Sequence, residues 1–334
     1  MSRPVPQAHR SVLLHRRPVE KSWRRTWSAG LAFALCLSTS CVEQASERQR
    51  LVLNEVSSHP LPEQFNLVGL SSSEDDQIVI WGREPNVVLR FNKTFVSDGE
   101  WLLPANVPPL SVWADVDRIE VVTSNPPAIH VFRDGETSGG SQPIAIDGAV
   151  REAARGREGW YVLWESPRTG ALTVRFPGEG ESRVAPPYGG LTVDDRERVW
   201  LTEIRSPFSI YDLTDDDEAS AVMQPETRTL ESLLAESGAK DASNWASVPV
   251  VVVEGGFIQT LADLASDRRI FIVYGPDGQP LSATPLGVPL GFVDSTKSPP
   301  RIYGARRTNI LEIVEYAYGW YDEDLRIGGM PDAY

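Results

Sequence analysis

The sequence has few of the residues on which enzymes most often depend. Its 334 residues include two cysteines, four histidines and three methionines. No HExxH, GxSxG, Walker A or Gly-rich dinucleotide motif occurs, so a zincin, an α/β-hydrolase or a nucleotide-binding protein is not indicated. Basic residues are also scarce, with 32 Lys and Arg against 46 Asp and Glu. The net charge of −14 argues against nucleic acid as a partner, because phosphate binding needs clustered positive charge.

The first 40 residues have the composition of an export signal. Residues 1–26 carry seven basic residues and one acidic residue. The apolar run that follows, from Trp27 to Leu37, is shorter than the stretch of about 20 apolar residues that a membrane-spanning helix needs. It ends in Ser38-Thr39-Ser40-Cys41, which resembles a bacterial lipoprotein signal, although Ser38 stands where such signals prefer an aliphatic residue. We predict a signal peptide at 1–40 and a tether at 41–49, with lipid on Cys41; simple secretion after cleavage and an uncleaved anchor are the alternatives.

Lipidation would also account for the two cysteines. Cys36 would leave with the signal, so Cys41 would have no disulfide partner, and acylation gives this odd cysteine a role. Removal of residues 1–40 would leave a chain with a net charge of −20, which anionic lipid headgroups repel. We therefore expect the protein to be exported and to contact the bacterial envelope, at the outer membrane or the periplasmic face, only through its lipid anchor.

Pairs of short strand-like runs recur along the rest of the chain. Six segments share a polar turn, a β-branched or aromatic run, a loop and a second such run; they begin at residues 78, 119, 160, 199, 257 and 302. A period of about 40 residues built only from strand pairs is typical of β-propellers. An apolar stretch before each pair is predicted to form the innermost strand of a blade: Phe65–Leu70, Leu110–Trp113, Ile144–Ile146, Leu191–Val193, Val250–Val253 and Val288–Val293.

The repeats predict an all-β protein, a six-bladed β-propeller of four-stranded antiparallel blades over residues 50–318. The wide spacing after the fourth segment predicts an insertion in the fourth blade at 214–247, with a helix from Thr229 to Ser237. Residues 51–56 are expected to pair as the outer strand of the last blade, which would leave no long free edge. Residues 319–334 form a C-terminal tail without an assigned structure.

The stretch Leu191–Glu203 carries a family resemblance. It consists of a strand, an acidic turn and a strand that opens with Val199-Trp200. In this respect residues 50–318 resemble the six-bladed propellers of the NHL or TolB-like kind that are found as bacterial lipoproteins. The resemblance implies the fold and no particular site.

Some six-bladed propellers are calcium-dependent lactonases, and this resemblance implies an alternative function. Asp115, Asp194 and Asp294 lie beside the predicted inner strands and could hold calcium in a central channel of a propeller hydrolase. In propellers such acids more often cap turns between strands. No other cofactor is expected, and no catalytic residue or metal ligand is assigned.

Arginine recurs in the loops between the paired strands. These loops should lie on one common face, and their arginines are Arg83, Arg168, Arg205, Arg268 and Arg306, with Arg269 and Arg307 beside the last two. Because a guanidinium recognises carboxylate or phosphate through two hydrogen bonds, they predict a non-enzymatic propeller that binds a small anionic ligand or an envelope protein. The opposing interpretation is that Glu84, Glu165, Glu203 and Asp267 neutralise them in exposed ion pairs worth about 0–1 kcal/mol each.

The remaining aromatic and imidazole side chains are assigned to the structure. Trp81, Trp113, Trp164 and Trp200 lie in or beside the predicted strands, and their spacing indicates the core between blades before a ligand platform. His59 and His130, the histidines outside the signal, are predicted to be structural.

Overall fold

The computed structural model describes most of residues 50–321. Its gaps are residues 64, 73–76, 93, 135–138, 179–181, 185–189, 195, 215–219, 224–230, 233, 236–243, 249, 254, 264–268, 276–277, 287–289, 295–300 and 308–309. The predicted signal peptide, the tether with Cys41, and all but the first three residues of the predicted tail lie outside the described residues. Glu47–Tyr334 forms one compact unit by its internal contacts.

The described chain consists almost entirely of β-strands, as the composition of the repeats predicts. The strands are β1 (Arg50–Pro60), β2 (Leu67–Ser72), β3 (Ile78–Gly82), β4 (Val87–Phe91), β5 (Ser97–Leu102), β6 (Ser111–Ala114), β7 (Arg118–Ser124), β8 (Pro127–Arg133), β9 (Gly140–Pro143), β10 (Ala149–Arg155), β11 (Trp160–Glu165), β12 (Leu172–Arg175), β13 (Ser182–Val184), β14 (Gly190–Val193), β15 (Val199–Thr202), β16 (Ile210–Asp212), β17 (Ser220–Met223), β18 (Trp245–Ser247), β19 (Val251–Val253), β20 (Gly256–Asp263), β21 (Arg269–Tyr274), β22 (Pro280–Leu286), β23 (Leu290–Asp294), β24 (Arg301–Arg307) and β25 (Leu311–Tyr321).

Within the described residues these strands form six antiparallel sheets that follow one another along the chain. Sheets 1 to 4 each contain four consecutive strands, namely β2–β5, β6–β9, β10–β13 and β14–β17. In sheet 5 the strand order is β18, β20, β21 and β22, and β19 pairs with the other end of β20. Sheet 6 has the order β23, β24, β25 and β1. The N-terminal strand therefore completes the last sheet, and its predicted pairing is observed.

Hydrophobic clusters join the sheets in a closed order. Neighbouring sheets cover both faces of the second strand of a sheet. For this reason β3 is a continuous apolar run from Ile78 to Trp81, without alternating polar residues. The clusters lie between sheets 1 and 2 (Val79, Val121), 2 and 3 (Val122, Val162), 3 and 4 (Leu163, Leu201), 4 and 5 (Ile210, Ile272), 5 and 6 (Ile258, Val314), and 6 and 1 (Tyr303, Ile80). This cyclic order of radially stacked sheets is the arrangement of a β-propeller.

Side-chain hydrogen bonds also connect the innermost strands of successive sheets. Ser71 Oγ on β2 donates to the carbonyl oxygen of Val112 on β6 at 2.8 Å. Ser111 Oγ on β6 donates to Ala153 O on β10 at 2.7 Å. At the junction of sheets 3 and 4 the side chain is the acceptor and not the donor. Here the backbone N–H of Leu191 on β14 donates to Glu152 Oε2 on β10 at 3.0 Å. These bonds satisfy backbone groups that no strand partner reaches on the inner side of the sheets.

The innermost strand of sheet 3 differs from the prediction. Residues 144–146 were expected to form it, but β10 begins later, at Ala149. Its sequence, AVREAAR, is rich in Ala, Arg and Glu, which have low β-propensity, so the apolar pattern did not reveal it. Ile144 is instead a buried residue of the connection that packs between sheets 2 and 3.

Two parts of the predicted insertion at 214–247 belong to sheets. β17 forms the outer strand of sheet 4 and β18 forms part of the inner edge of sheet 5. Leu234, within the stretch predicted to be helical, is buried in the cluster between these two sheets. Most of the remaining insertion lies outside the described residues, so its helix stays a prediction. β25 extends three residues beyond the predicted boundary at 318.

Two of the four selected tryptophans lie in the core as predicted. Trp81 and Trp200 are buried in the clusters between sheets 1 and 2 and between sheets 4 and 5. Trp113 is partly buried and packs against the cluster between sheets 2 and 3. Trp164 is half-buried and belongs to none of the described clusters.

Candidate functional site

The predicted arginines that the structure describes lie at the same end of their sheets. In each sheet, the turn from the second to the third strand and the connection to the next sheet lie at the same end. We call this end the arginine rim. Arg83, Arg168 and Arg205 occupy such turns in sheets 1, 3 and 4. Arg306 was expected in a loop but lies near the end of β24 in sheet 6, at the same rim. Arg268 lies outside the described residues.

Arg83 and Arg205 have exposed side chains that contact only neutral groups among the described residues. Arg83 Nη2 donates to Pro109 O at 3.3 Å, and Arg205 Nη1 donates to Trp245 O at 3.4 Å. Both are long hydrogen bonds to backbone carbonyls, and in the described part of the chain neither guanidinium forms an ion pair. Each therefore retains its positive charge and most of its five N–H donors for another partner.

The other two described arginines have carboxylate partners. Arg168 Nη2 lies 3.4 Å from Asp147 Oδ2, but both side chains are largely exposed, so solvent screens this pair. Arg306 is bound more firmly. It donates to both carboxylate oxygens of Glu55, at 2.9 and 3.2 Å, and to Glu312 at 3.1 Å. These hydrogen bonds raise the pKa of Arg306.

Two of the carboxylates predicted to neutralise the rim have other partners. Glu165 accepts a hydrogen bond from Arg151 Nε at 2.7 Å, and Glu203 is within 3.4 Å of the backbone nitrogen of Ser209. Asp267 lies outside the described residues. Of the four predicted binding arginines that the structure describes, Arg168 and Arg306 therefore have carboxylate partners, whereas the described contacts of Arg83 and Arg205 are neutral.

A cavity of about 420 Å³ opens in sheet 3 at the arginine rim. It is lined by Arg151, Glu165, Gly170 and Leu172. Gly170 has φ +69° and would have open space at its Cβ position. Arg151 lies on β10, the strand that the apolar pattern of the sequence does not indicate. Among the described lining residues, the charges of Arg151 and Glu165 cancel.

The opposite rim, which carries the turns from first to second strands, is held together by stacked Arg, Trp and carboxylate groups. Glu120 accepts hydrogen bonds from Trp160 Nε1 at 2.8 Å and from Arg155 Nε at 3.3 Å. The guanidiniums of Arg155 and Arg118 lie 4.8 and 5.7 Å from the ring of Trp113. Because cations and the core cover this ring, Trp113 has a structural role here.

The aspartates considered as calcium ligands cap turns where the structure describes their side chains. Asp194 Oδ1 accepts the backbone N–H groups of Arg196 and Arg198, both at 2.9 Å, while Oδ2 accepts from the Arg198 and Trp200 side chains. Asp115 Oδ1 accepts the N–H of Val116 at 2.8 Å. The interpretation of these two acids as turn caps is confirmed. The side chain of Asp294 lies outside the described part.

Both histidines of the described chain lie in partly buried, mainly apolar surroundings. His59 stacks on Phe95 with ring centroids 4.0 Å apart. Burial lowers its pKa, and the charge of Glu315 partly opposes this shift. His130 Nε2 lies 3.4 Å from Thr123 Oγ1, and burial lowers the pKa of His130 as well. Both environments favour the neutral imidazole.

The described residues contain neither a cluster of metal-ligating side chains nor a helix suited to crossing a membrane. There, no three His, Cys, Asp or Glu side chains lie close enough together to hold a metal ion. None of the helical segments in the same residues has the length and apolar character to cross a membrane.

The chain is similar to known proteins only at the level of the backbone fold. No protein-family model and no curated protein sequence matches the chain. Solved β-propeller structures align with it. Virginiamycin B lyase from Staphylococcus aureus is 12% identical over 80% of this chain and 99% of that one, with a TM-score of 0.45.

Two further solved structures align at similar levels. YCF48 from Cyanidioschyzon merolae is 13% identical over 79% of this chain and 98% of that one, with a TM-score of 0.47. The PQQ-bound aldose sugar dehydrogenase from Streptomyces coelicolor is 13% identical over 81% of this chain and 99% of that one, with a TM-score of 0.49. The class that the sheets of this chain define is the β-propeller, and its function has to be argued from its own residues.

Proposed function

We propose that the protein is a six-bladed β-propeller that binds an anionic ligand or partner at the arginine rim and catalyses no reaction. The six sheets and the clusters between them support the blade count. The export signal and Cys41 support a location outside the cytoplasm, on a lipid anchor at the cell envelope. The rim takes part through Arg83 and Arg205, and the exposed Arg168 adds positive charge at the same rim.

One observation carries the binding role. Arg83 and Arg205 project from exposed turns, and their described contacts are single long hydrogen bonds to backbone carbonyls. A guanidinium that serves only the fold is commonly held by carboxylates in short hydrogen bonds, as Arg306 is by Glu55 and Glu312. An anion at Arg83 or Arg205 would form charge-assisted hydrogen bonds, which are roughly twice as strong as neutral ones.

The binding role is tested with two simple anions, inorganic phosphate and succinate. Titration calorimetry on the full-length protein should detect binding, and the double variant Arg83→Glu/Arg205→Glu should weaken it by about tenfold or more, because a like charge replaces each guanidinium. The matched control is Arg133→Glu/Arg157→Glu, two exposed arginines outside the arginine rim, which should leave the affinity unchanged. Equal affinities for all three proteins would disprove the role of Arg83 and Arg205.

Calcium titrated into the same samples addresses the alternative function, a calcium-dependent hydrolase. A ligand present at 100 times its dissociation constant adds about 2.7 kcal/mol to the free energy of unfolding. A calcium-dependent rise in the melting temperature that corresponds to a stabilisation of this size would favour the hydrolase over the binding propeller.

The lipid anchor is tested separately from the binding site. In cells supplied with a traceable fatty acid, the wild-type protein should be labelled and should sediment with membranes. Cys41→Ser should abolish both properties, whereas Cys36→Ser, which alters a residue of the predicted signal, should preserve them. Unchanged labelling of Cys41→Ser would refute lipidation at this position.

A further inference from the structure

Four of the seven large apolar side chains that are exposed in the described chain lie at the arginine rim, whereas Val96 and Val116 lie at the opposite rim and Val56 lies within β1. Of the large apolar residues that the structure shows to be exposed, Leu102 is 68% exposed, Val68 and Ile204 are each 41% exposed and Ile310 is 39% exposed. Leu102 is the last residue of β5, and Val68 is the second residue of β2. Ile204 and Ile310 lie in turns from the second to the third strand of their sheets. All four positions are at the end of the sheets that carries Arg83 and Arg205.

Two of these aliphatic residues lie in or next to the turns that carry the arginines with neutral contacts. Ile204 directly precedes Arg205 in the chain. Leu102 pairs with Val87, and the next residue, Leu103, donates its backbone N–H to Asn86 O at 2.9 Å, in the turn that begins with Arg83. An exposed aliphatic residue therefore lies in the turn of Arg205, and another lies on the strand next to the turn of Arg83.

The two ends of β1 lie at opposite rims. Pro60 pairs with Glu312, next to the turn at Ile310, and Leu61 donates its N–H to Leu311 O at 2.8 Å. Arg50, at the other end of β1, pairs with Tyr321 at the end of β25 that is remote from that turn. Arg50, the first described residue of β1, therefore lies at the rim opposite to the arginines.

We infer that the arginine rim docks a protein partner whose contact segment combines carboxylates with aliphatic or aromatic side chains. This inference rests on the proposed function and specifies its ligand. A small anion bound at Arg83 or at Arg205 would leave Leu102 and Ile204 in water. A protein segment with both kinds of side chain would bury the aliphatic groups and pair the arginines, and arginine is enriched at such interfaces.

The probe is a displayed library of random peptides, selected on the full-length protein. Enriched peptides should contain Asp or Glu close to Leu, Ile, Phe or Trp. For a selected peptide, Arg83→Glu/Arg205→Glu should raise Kd by about tenfold or more. Leu102→Ser/Ile204→Ser should raise it by about three- to tenfold, because the lost contact is apolar burial. Arg157→Glu and Val116→Ser, exposed residues of the opposite rim, are the matched controls and should not change Kd.

The outcomes separate this inference from the proposed function. If phosphate or succinate binding depends on Arg83 and Arg205 but no acidic and apolar peptide is enriched, the rim is a small-anion site and the inference is wrong. The same conclusion follows if Leu102→Ser/Ile204→Ser leaves every peptide affinity unchanged. If neither the anions nor the peptides respond to the arginine variants, the proposed function itself fails.

Discussion

Thr192 Oγ1 donates a hydrogen bond of 2.7 Å to the carbonyl oxygen of Val250, which lies 58 residues further along the chain. The bond connects β14 of sheet 4 to the start of the innermost part of sheet 5. The equivalent bonds at earlier junctions span 41 and 42 residues. The longer span includes the predicted insertion at 214–247, so the inner contact between neighbouring sheets is retained although the connecting chain is longer.

These hydroxyl groups should contribute measurably to stability. Ser111→Ala and Thr192→Val each remove a donor that reaches a backbone carbonyl of the next sheet, and each should lower the free energy of unfolding by about 1 kcal/mol. Ser141→Ala, on the exposed strand β9, is the control and should be close to neutral. Urea denaturation followed by fluorescence measures all three. Equal stabilities for Ser111→Ala and Ser141→Ala would contradict the role of the inner bonds.

Closure of sheet 6 by β1 should decide whether the protein stays soluble. A shortened chain that begins at Leu61 would leave β25, an 11-residue strand, without its partner on one side. Such a long free edge favours pairing with another chain, so we expect aggregation or loss of cooperative unfolding. A chain that begins at Glu47 retains β1 and should behave as the full-length protein does. Size-exclusion chromatography distinguishes the two, and a monomeric, stable chain from Leu61 would show that β1 is dispensable.

The buried amide of Gln259 should be strongly coupled to Tyr274. Gln259 Nε2 donates to Phe208 O at 3.1 Å and to Ser247 Oγ at 2.9 Å, and Tyr274 donates its hydroxyl to Gln259 Oε1 at 2.6 Å. Gln259→Leu should cost about 2 kcal/mol or more, because it leaves buried polar groups without partners.

A double-mutant cycle tests this coupling. Tyr274→Phe added to Gln259→Leu should cost less than Tyr274→Phe alone, since the hydroxyl that it removes is already unpaired. Urea denaturation of the four proteins gives the coupling free energy. Strictly additive losses would exclude the coupling.

Stability should fall below neutral pH in part through His130. Burial lowers the pKa of His130 in the folded protein below its ordinary value of 6.5. As the pH falls through 6.5, the unfolded chain takes up the proton first, so the stabilising contribution of the neutral imidazole is present above this pH and is lost below it. We expect the loss of unfolding free energy between about pH 7.5 and about pH 5 to be smaller in His130→Gln than in the wild type. An identical pH dependence in both proteins would contradict the shift.

The strand pairs with strong apolar runs were accessible from the sequence, whereas one inner strand was not. The second strand of sheet 1, for example, is covered on both faces and is therefore apolar throughout, which marks it clearly. β10 forms because the sheet and its neighbours supply hydrogen bonds and packing, although its Ala, Arg and Glu residues have little preference for strands. The outer strand of sheet 4 was similarly hidden inside a segment that the sequence marked as an insertion.

The sequence by itself determined the period of the repeats, the all-β class and the recurrence of arginine in equivalent turns. It also determined the pairing of the N-terminal strand with the last sheet. These features follow from residue types at regular spacing. Only the tertiary structure decided which arginines have carboxylate partners. Arg306 is paired because chain closure brings Glu55, 251 residues away, within 2.9 Å of it. Arg83 and Arg205 have only carbonyl contacts in the described chain, although acidic residues lie next to or near them in the sequence. Ion pairing depends on distances of a few ångströms between side chains that the fold brings together. The spacing of residues along the sequence does not determine these distances.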